Sequence, residues 1–373
     1  MKLCRTIFLA MLSLWSGHAC AGVEAPVRRT VALDDSAEVT ATSDDSAGHL
    51  WIATSNFSLG RPPRFLLPHV LELTSGGDIA EDYEMKLPQQ EAERQGGYTV
   101  LGFSVAPATI VAVLGYSDHD LWWTETDRRS RQIQSRKLME LPRGFASSQA
   151  LLSPSLQSVL IYGSRLNAPA AVHLTKTGQI LWSTTWEKES GRFADAVSCS
   201  TTSFTLLEQD IDVVKRSVTS KLLLIDPQGN MIAEKGLDGN ASVLTCSTSN
   251  TTGFVLQRKT GSEFVQVRLP GPLQEQTLPE SITGAQLVKS QPQSGLQGVV
   301  GYERGQAVYL ELNARGETAR KVLLQDKPEE AILNLRARQV AGTIYVLGNV
   351  YLNSGRGFIE KLAFVALEGI THR

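Results

Sequence analysis

Leu174-Thr175-Lys176-Thr177-Gly178-Gln179-Ile180-Leu181-Trp182 reads as the end of one strand, a tight turn and the start of the next. Gly178 stands where a short hairpin connection needs a left-handed residue, a conformation that only glycine takes at little cost. The phrase recurs. Leu73-Thr74-Ser75-Gly76-Gly77-Asp78-Ile79, Ile225-Asp226-Pro227-Gln228-Gly229-Asn230-Met231 and Leu312-Asn313-Ala314-Arg315-Gly316-Glu317-Thr318 share its spacing. Looser copies end at Gly271 and Gly369, and Thr126-Asp127-Arg128-Arg129-Ser130 carries serine in the glycine position. Copies about 42 to 53 residues apart are the signature of propeller blades.

An apolar run precedes each turn, as in Leu50-Trp51-Ile52-Ala53, Val159-Leu160-Ile161-Tyr162 and Ile344-Tyr345-Val346-Leu347. Short apolar stretches bounded by glycine and polar residues read as strands buried on both faces. Seven runs and seven turns predict an all-β, seven-bladed propeller with four antiparallel strands per blade. The last repeat is one strand short, so residues 27–33 are expected to complete it and close the ring. No helix is expected beyond a turn at residues 91–94.

The chain has 373 residues and a formal charge of −2 without a basic block, which excludes the footprint of a nucleic-acid binder. Lys2 and Arg5, an apolar run over residues 6–15 and Ala19-Cys20-Ala21 read as a secretory leader. The expected organisation is a leader at 1–21, a loose N-terminus at 22–26 and the propeller at 27–373, in the periplasm or secreted. Lipid anchoring at Cys20 is the alternative, although Gly17-His18-Ala19 lacks the usual leucine. No other apolar run is long enough to span a bilayer. Of the four cysteines, Cys199 and Cys246 lie beyond the leader, at equivalent places in successive repeats. In an oxidising compartment they are expected to form a disulfide.

The phrase at residues 175–182 resembles the blade motif of the pyrroloquinoline-quinone-like propellers. The resemblance implies the architecture. Its tryptophan recurs in no other copy, so a quinone is not implied, and no cofactor or metal is expected.

Gly-x-Ser-x-Gly nucleophile motifs and phosphate-cradling glycine loops are missing. Asp118-His119-Asp120 is the nearest approach to a metal cluster, but in an extended strand its members alternate sides. The connections between second and third strands are longer and more charged than linking requires. They offer Arg61 and Arg64 in blade 1, Asp118, His119 and Asp120 in blade 2, and Arg165 in blade 3. Blade 4 adds Asp210, Asp212 and Arg216. This face is expected to bind an unidentified protein partner, in an envelope scaffold or a toxin-neutralising immunity protein without catalysis. Two alternatives remain. A metal-assisted hydrolase or lyase would need three or more carboxylates or histidines converging at the channel mouth. A carbohydrate binder would expose Trp122 or Trp123.

Overall fold

The computed structural model describes residues 27–31, 37–58, 64–65, 67–87, 98–116, 120–186, 190–200, 202–212, 215, 217–248, 250–278, 282–289, 297–313, 317–325, 330–352 and 360–368. These form seven antiparallel sheets. In chain order the blades span 37–84, 98–140, 145–185, 192–237, 240–277, 282–323 and 330–368. Blade 7 takes its outer strand from Val27–Val31, which pairs antiparallel with Glu360–Glu368, Val27 opposite Ala366 and Val31 opposite Leu362. No helix occurs among the described residues. The leader and residues 22–26 lie outside them.

Burial follows from strand order. Second and third strands are sandwiched between neighbouring blades and are apolar on both faces, as in Ala168–Thr175, where seven consecutive residues are buried. Seven apolar clusters result, one in each interface between blades, including the interface of blade 7 with blade 1. Trp122 packs toward blade 1 and Trp123 toward blade 3. Both are buried, so neither forms the exposed aromatic platform that a sugar groove requires. Outer strands face water and alternate, as in Met231–Leu237.

The repeat phrase has a hydrogen-bonding cause. At Thr175 the backbone N–H donates to the Gln179 carbonyl, Gly178 N–H donates back to the Thr175 carbonyl, and Thr175 Oγ1 accepts from Gln179 N–H, at 2.9, 2.9 and 3.0 Å. Thr74 and Asp226 repeat all three bonds, and Asn313 repeats the two that fall on described residues. The phrase therefore begins with a short side chain bearing an acceptor oxygen and ends three residues later on glycine. Gly178 and Gly229 have φ of +87° and +89°. Each is also pressed on the preceding blade: a Cβ at 178 would lie 2.2 Å from the Leu138 carbonyl oxygen, and one at 229 2.7 Å from the Trp182 ring. Trp182 is thus the floor beneath the next blade's turn.

Two copies depart from expectation. In blade 2 the turn is a residue longer, and Arg131 (φ 58°), not Ser130, takes the left-handed place while Asp127 Oδ1 caps the turn. The longer turn lets Arg128 reach blade 1, where its guanidinium lies 4.7 Å from the Trp51 ring centre and donates to Glu72. In blade 5, Gly271 follows a cis Leu269–Pro270 bond and is not left-handed. Gly316 and Gly369 fall outside the described residues.

Cys199 and Cys246 form the expected disulfide between the inner strands of blades 4 and 5, their Cα atoms 5.3 Å apart. The Cys199 carbonyl also accepts from Asn250 N–H at 3.0 Å, so the two blades are joined covalently and by backbone.

Candidate functional site

Two surfaces free of blade stacking carry the candidate residues: the face bearing the connections between second and third strands, and the central channel.

On the first, Arg61, Asp118, His119 and Arg216 lie outside the described residues, and Arg64 is placed only as backbone, pairing with Ser58. Asp120 is not the exposed loop residue that the sequence predicts. It begins a strand, is buried, and meets Lys137 Nζ at 2.7 Å, so it offers no contact surface. Asp210 and Asp212 also belong to a strand, Ser203–Asp212, opposite Thr219 and Ser217, and only residues 213–216 link it to the next. Asp212 pairs with Lys215.

Residues of this face in blades 3 and 4 are tied together. The blade 3 hairpin turns at Leu166 and Asn167, both left-handed with φ of 51° and 66°. The Asn167 carbonyl accepts from Gly191 N–H at 2.7 Å, and Ser190 Oγ donates to Asp210 Oδ1 at 2.6 Å. Leu166 projects from this fixed frame with 75% of its surface exposed, and Ile211, beside Asp210, is 45% exposed. Arg165 and Asp210 flank them in sequence. Sequence reasoning missed Leu166: nothing in Arg165-Leu166-Asn167 sets this leucine apart from a core residue.

The channel is a cavity of about 630 Å³ lined by the inner strands of all seven blades. Each inner strand carries a bulge against the second strand of its blade, between Val39 and Ala41, Val100 and Gly102, Ser147 and Gln149, Phe193 and Asp195, Ser242 and Thr245, Thr283 and Gln286, and Leu333 and Arg336. The residue that resumes pairing after each bulge lines the channel. A bulge shifts the phase of alternation by inserting unpaired residues. The ring so formed holds Gln149, Asp195, Gln286 and Arg336.

Asp195 joins three blades. Its carboxylate accepts from Tyr162 O–H at 3.2 Å, Ala196 N–H at 2.9 Å and Leu244 N–H at 2.8 Å. Tyr162 O–H also lies 2.9 Å from Gln149 Oε1. Burial, and then the charge of Asp195, push the Tyr162 phenol well above its usual range, so it is a neutral donor at any ordinary pH. Across the blade 7–blade 1 junction, the Arg338 guanidinium is bound to Asp44 and donates to the Thr42 carbonyl. Among the described residues, no histidine and a single carboxylate line the cavity. Among the described residues no group of three or more His, Cys, Asp or Glu side chains is placed to hold a metal ion.

No protein-family model and no curated protein matches the sequence. Solved structures do match the fold. The chain is similar to the Dos1 propeller at 11% identity and a TM-score of 0.57, over 94% of this chain and 96% of that one. It is similar to the propeller domain of the Trilobed protease of Pyrococcus furiosus, described as having an open velcro topology, at 7% identity and 0.53, over 90% and 94%. A puromycin-hydrolyzing peptidase of Mycobacterium tuberculosis matches at 12% identity and 0.58; this chain aligns over 90% of its own length and 52% of the peptidase's. At such identities the likeness establishes the propeller fold.

Proposed function

We propose that this propeller is an exported, non-catalytic scaffold that holds another protein on the face of its second-to-third-strand connections, centred on blades 3 and 4. The observation that carries the reading is Leu166. A leucine in the left-handed region costs about 1 kcal/mol or more and is seldom retained without a use. Here it stands 75% exposed on a hydrogen-bonded frame that ties the blade 3 hairpin to Asp210 of blade 4, with Arg165 preceding it in sequence and exposed Ile211 between Asp210 and Asp212 on the neighbouring blade. An apolar anchor ringed by polar residues is the anatomy of a binding hot spot. Arg61, Arg64, Asp118, His119 and Arg216 extend this surface in the proposal. The periplasm is the proposed compartment, for which the basic and apolar N-terminus and the Cys199–Cys246 disulfide give support. An envelope scaffold and a toxin-neutralising immunity protein both fit this description. The described channel lining supports binding over acid–base chemistry, because it holds one carboxylate, already spent on three donors.

The test is comparative capture from the cell envelope of the source organism. Wild-type protein, Leu166→Asp, and a triple variant carrying Arg61→Glu, Arg64→Glu and Arg216→Glu serve as baits, each checked for unaltered thermal unfolding. A partner held by the wild type and lost by both variants supports the proposal. Equal recovery by all three baits removes this face from consideration.

A further inference from the structure

The inner wall is charged out of proportion to the chain. Among the described residues, Arg192, Lys289, Arg336 and Arg338 line the cavity against Asp195 alone, in a protein of net charge −2. Inner strands run the same way, as the parallel bridge between Lys289 and Arg338 records for blades 6 and 7. Arg192 opens its strand, Arg192–Ser200, whereas Lys289 follows the end of Ile282–Leu287. Positive charge therefore stands at both ends of the channel.

Among the described residues, two acids in or beside the channel are already committed. Asp195 accepts three hydrogen bonds, and Asp44 is bound to Arg338. Arg336, on blade 7, acts electrostatically on Tyr162 of blade 3 across the channel. Lys289 and Arg192 make no ion pair among the described residues. The Lys289 backbone, bonded to Ala337 and Gln339 at 3.0 and 2.8 Å, fixes its ammonium stem to the wall next to Arg338. Fixed cations in a narrow, protein-walled cavity attract anions far more strongly than the same charges on open surface.

We propose that the channel is a binding site for a small polyanion, a molecule bearing two or more carboxylate or phosphate groups. Lys289 and Arg336 hold it on one wall, and the amides of Gln149 and Gln286 complete its hydrogen bonds. Arg192 draws it in at the mouth. A volume of about 630 Å³ suits a ligand of that class. Two separated cationic positions select against monoanions, which can satisfy only one of them.

Calorimetric titration of the purified protein with citrate and with pyrophosphate, at fixed ionic strength and with acetate as the monoanion control, decides the matter. One polyanion is expected per chain, with affinity falling as salt rises and no saturable acetate binding. Lys289→Gln should weaken binding about tenfold or more, and Gln286→Glu, which sets a carboxylate on the same wall, should abolish it. Arg192→Gln, at the mouth, should weaken it by a few-fold and gives an independent reading should Lys289→Gln fail to fold. Leu166→Asp should leave it unchanged, which separates this site from the loop face. No saturable binding of either polyanion, equal binding of acetate, or full affinity in the folded Lys289→Gln and Gln286→Glu proteins overturns the proposal.

Discussion

Hairpins on opposite faces of the ring can treat the same backbone conformation in opposite ways. Where third strands turn into fourth, the left-handed position is held by Gly178 and Gly229, each sealed on the preceding blade. Where second strands turn into third, blade 3 gives that position to Leu166 and Asn167, and Leu166 faces water. The first kind of turn spends glycine to minimise strain and maximise contact. The second accepts strain and leaves an apolar side chain mostly exposed, resting on Gly144. The difference teaches that turns serving the ring are set by packing, whereas the blade 3 hairpin is free to serve something outside it. Blade 2 lies between these cases: Arg131 takes the left-handed place, but its guanidinium is used at once, on Glu81 and over the Tyr83 ring at 5.0 Å.

The comparison rests on a closed ring, and opening the ring should produce the largest effect. Removal of residues 27–31 exposes the edge of Glu360–Glu368 and should cost several kcal/mol. Thermal unfolding that stayed at the wild-type temperature would falsify closure by this strand. Reduction of the disulfide, or a Cys199→Ser, Cys246→Ser double variant, comes next. The bridge spans 47 residues and should contribute roughly 4 kcal/mol on the loop-entropy account, less if the reduced chain keeps structure. Labelling of the denatured, unreduced protein should find neither thiol.

Gly178→Val should cost about 3 kcal/mol, since left-handed strain adds to a collision with a backbone carbonyl that cannot rotate away. Gly229→Val meets the Trp182 side chain instead and should cost about 1 kcal/mol less. Equal urea midpoints for the two would mean that the preceding blade does not govern these turns. The smallest effect belongs to the opposite face. Leu166→Gly relieves the left-handed leucine and should stabilise by about 1 kcal/mol or less, because glycine also gains freedom in the unfolded chain. A loss of 2 kcal/mol or more in urea unfolding would place Leu166 with the packed turns and undo the contrast.

Much of the scaffold was legible because its turns repeat a hydrogen-bonding rule. Thr175, Thr74, Asp226 and Asn313 are different residues with one shared property, an acceptor oxygen close to the backbone, and glycine follows three positions later. The blade 7 closure was legible from a missing strand, and the disulfide from matched positions in two repeats. The candidate sites were legible only in outline. Asp120, Asp210 and Asp212 read as loop residues because they are polar, yet pairing continues through them and Asp120 is buried against Lys137. The channel could not be read at all. Period-two alternation assigns faces only while register holds, and a bulge in every inner strand changes the phase just before Gln149, Asp195, Gln286 and Arg336.

Strand Val27–Val31 also sets a clock. Val27 and its partner Ala366 face each other on neighbouring strands of one blade, separated by nearly the whole chain. During synthesis the first of them emerges long before the second and waits for it. Six blades can stack as they appear, each against its predecessor, while the seventh waits for residues 360–368. The entropy of joining such distant ends grows only with the logarithm of their separation, about 2 kcal/mol more than for a loop of the disulfide's size. Time is the greater burden. Until residues 360–368 emerge, the nascent protein carries an unmatched strand at residues 27–31 and an open edge behind it, the two features most prone to pairing with another chain.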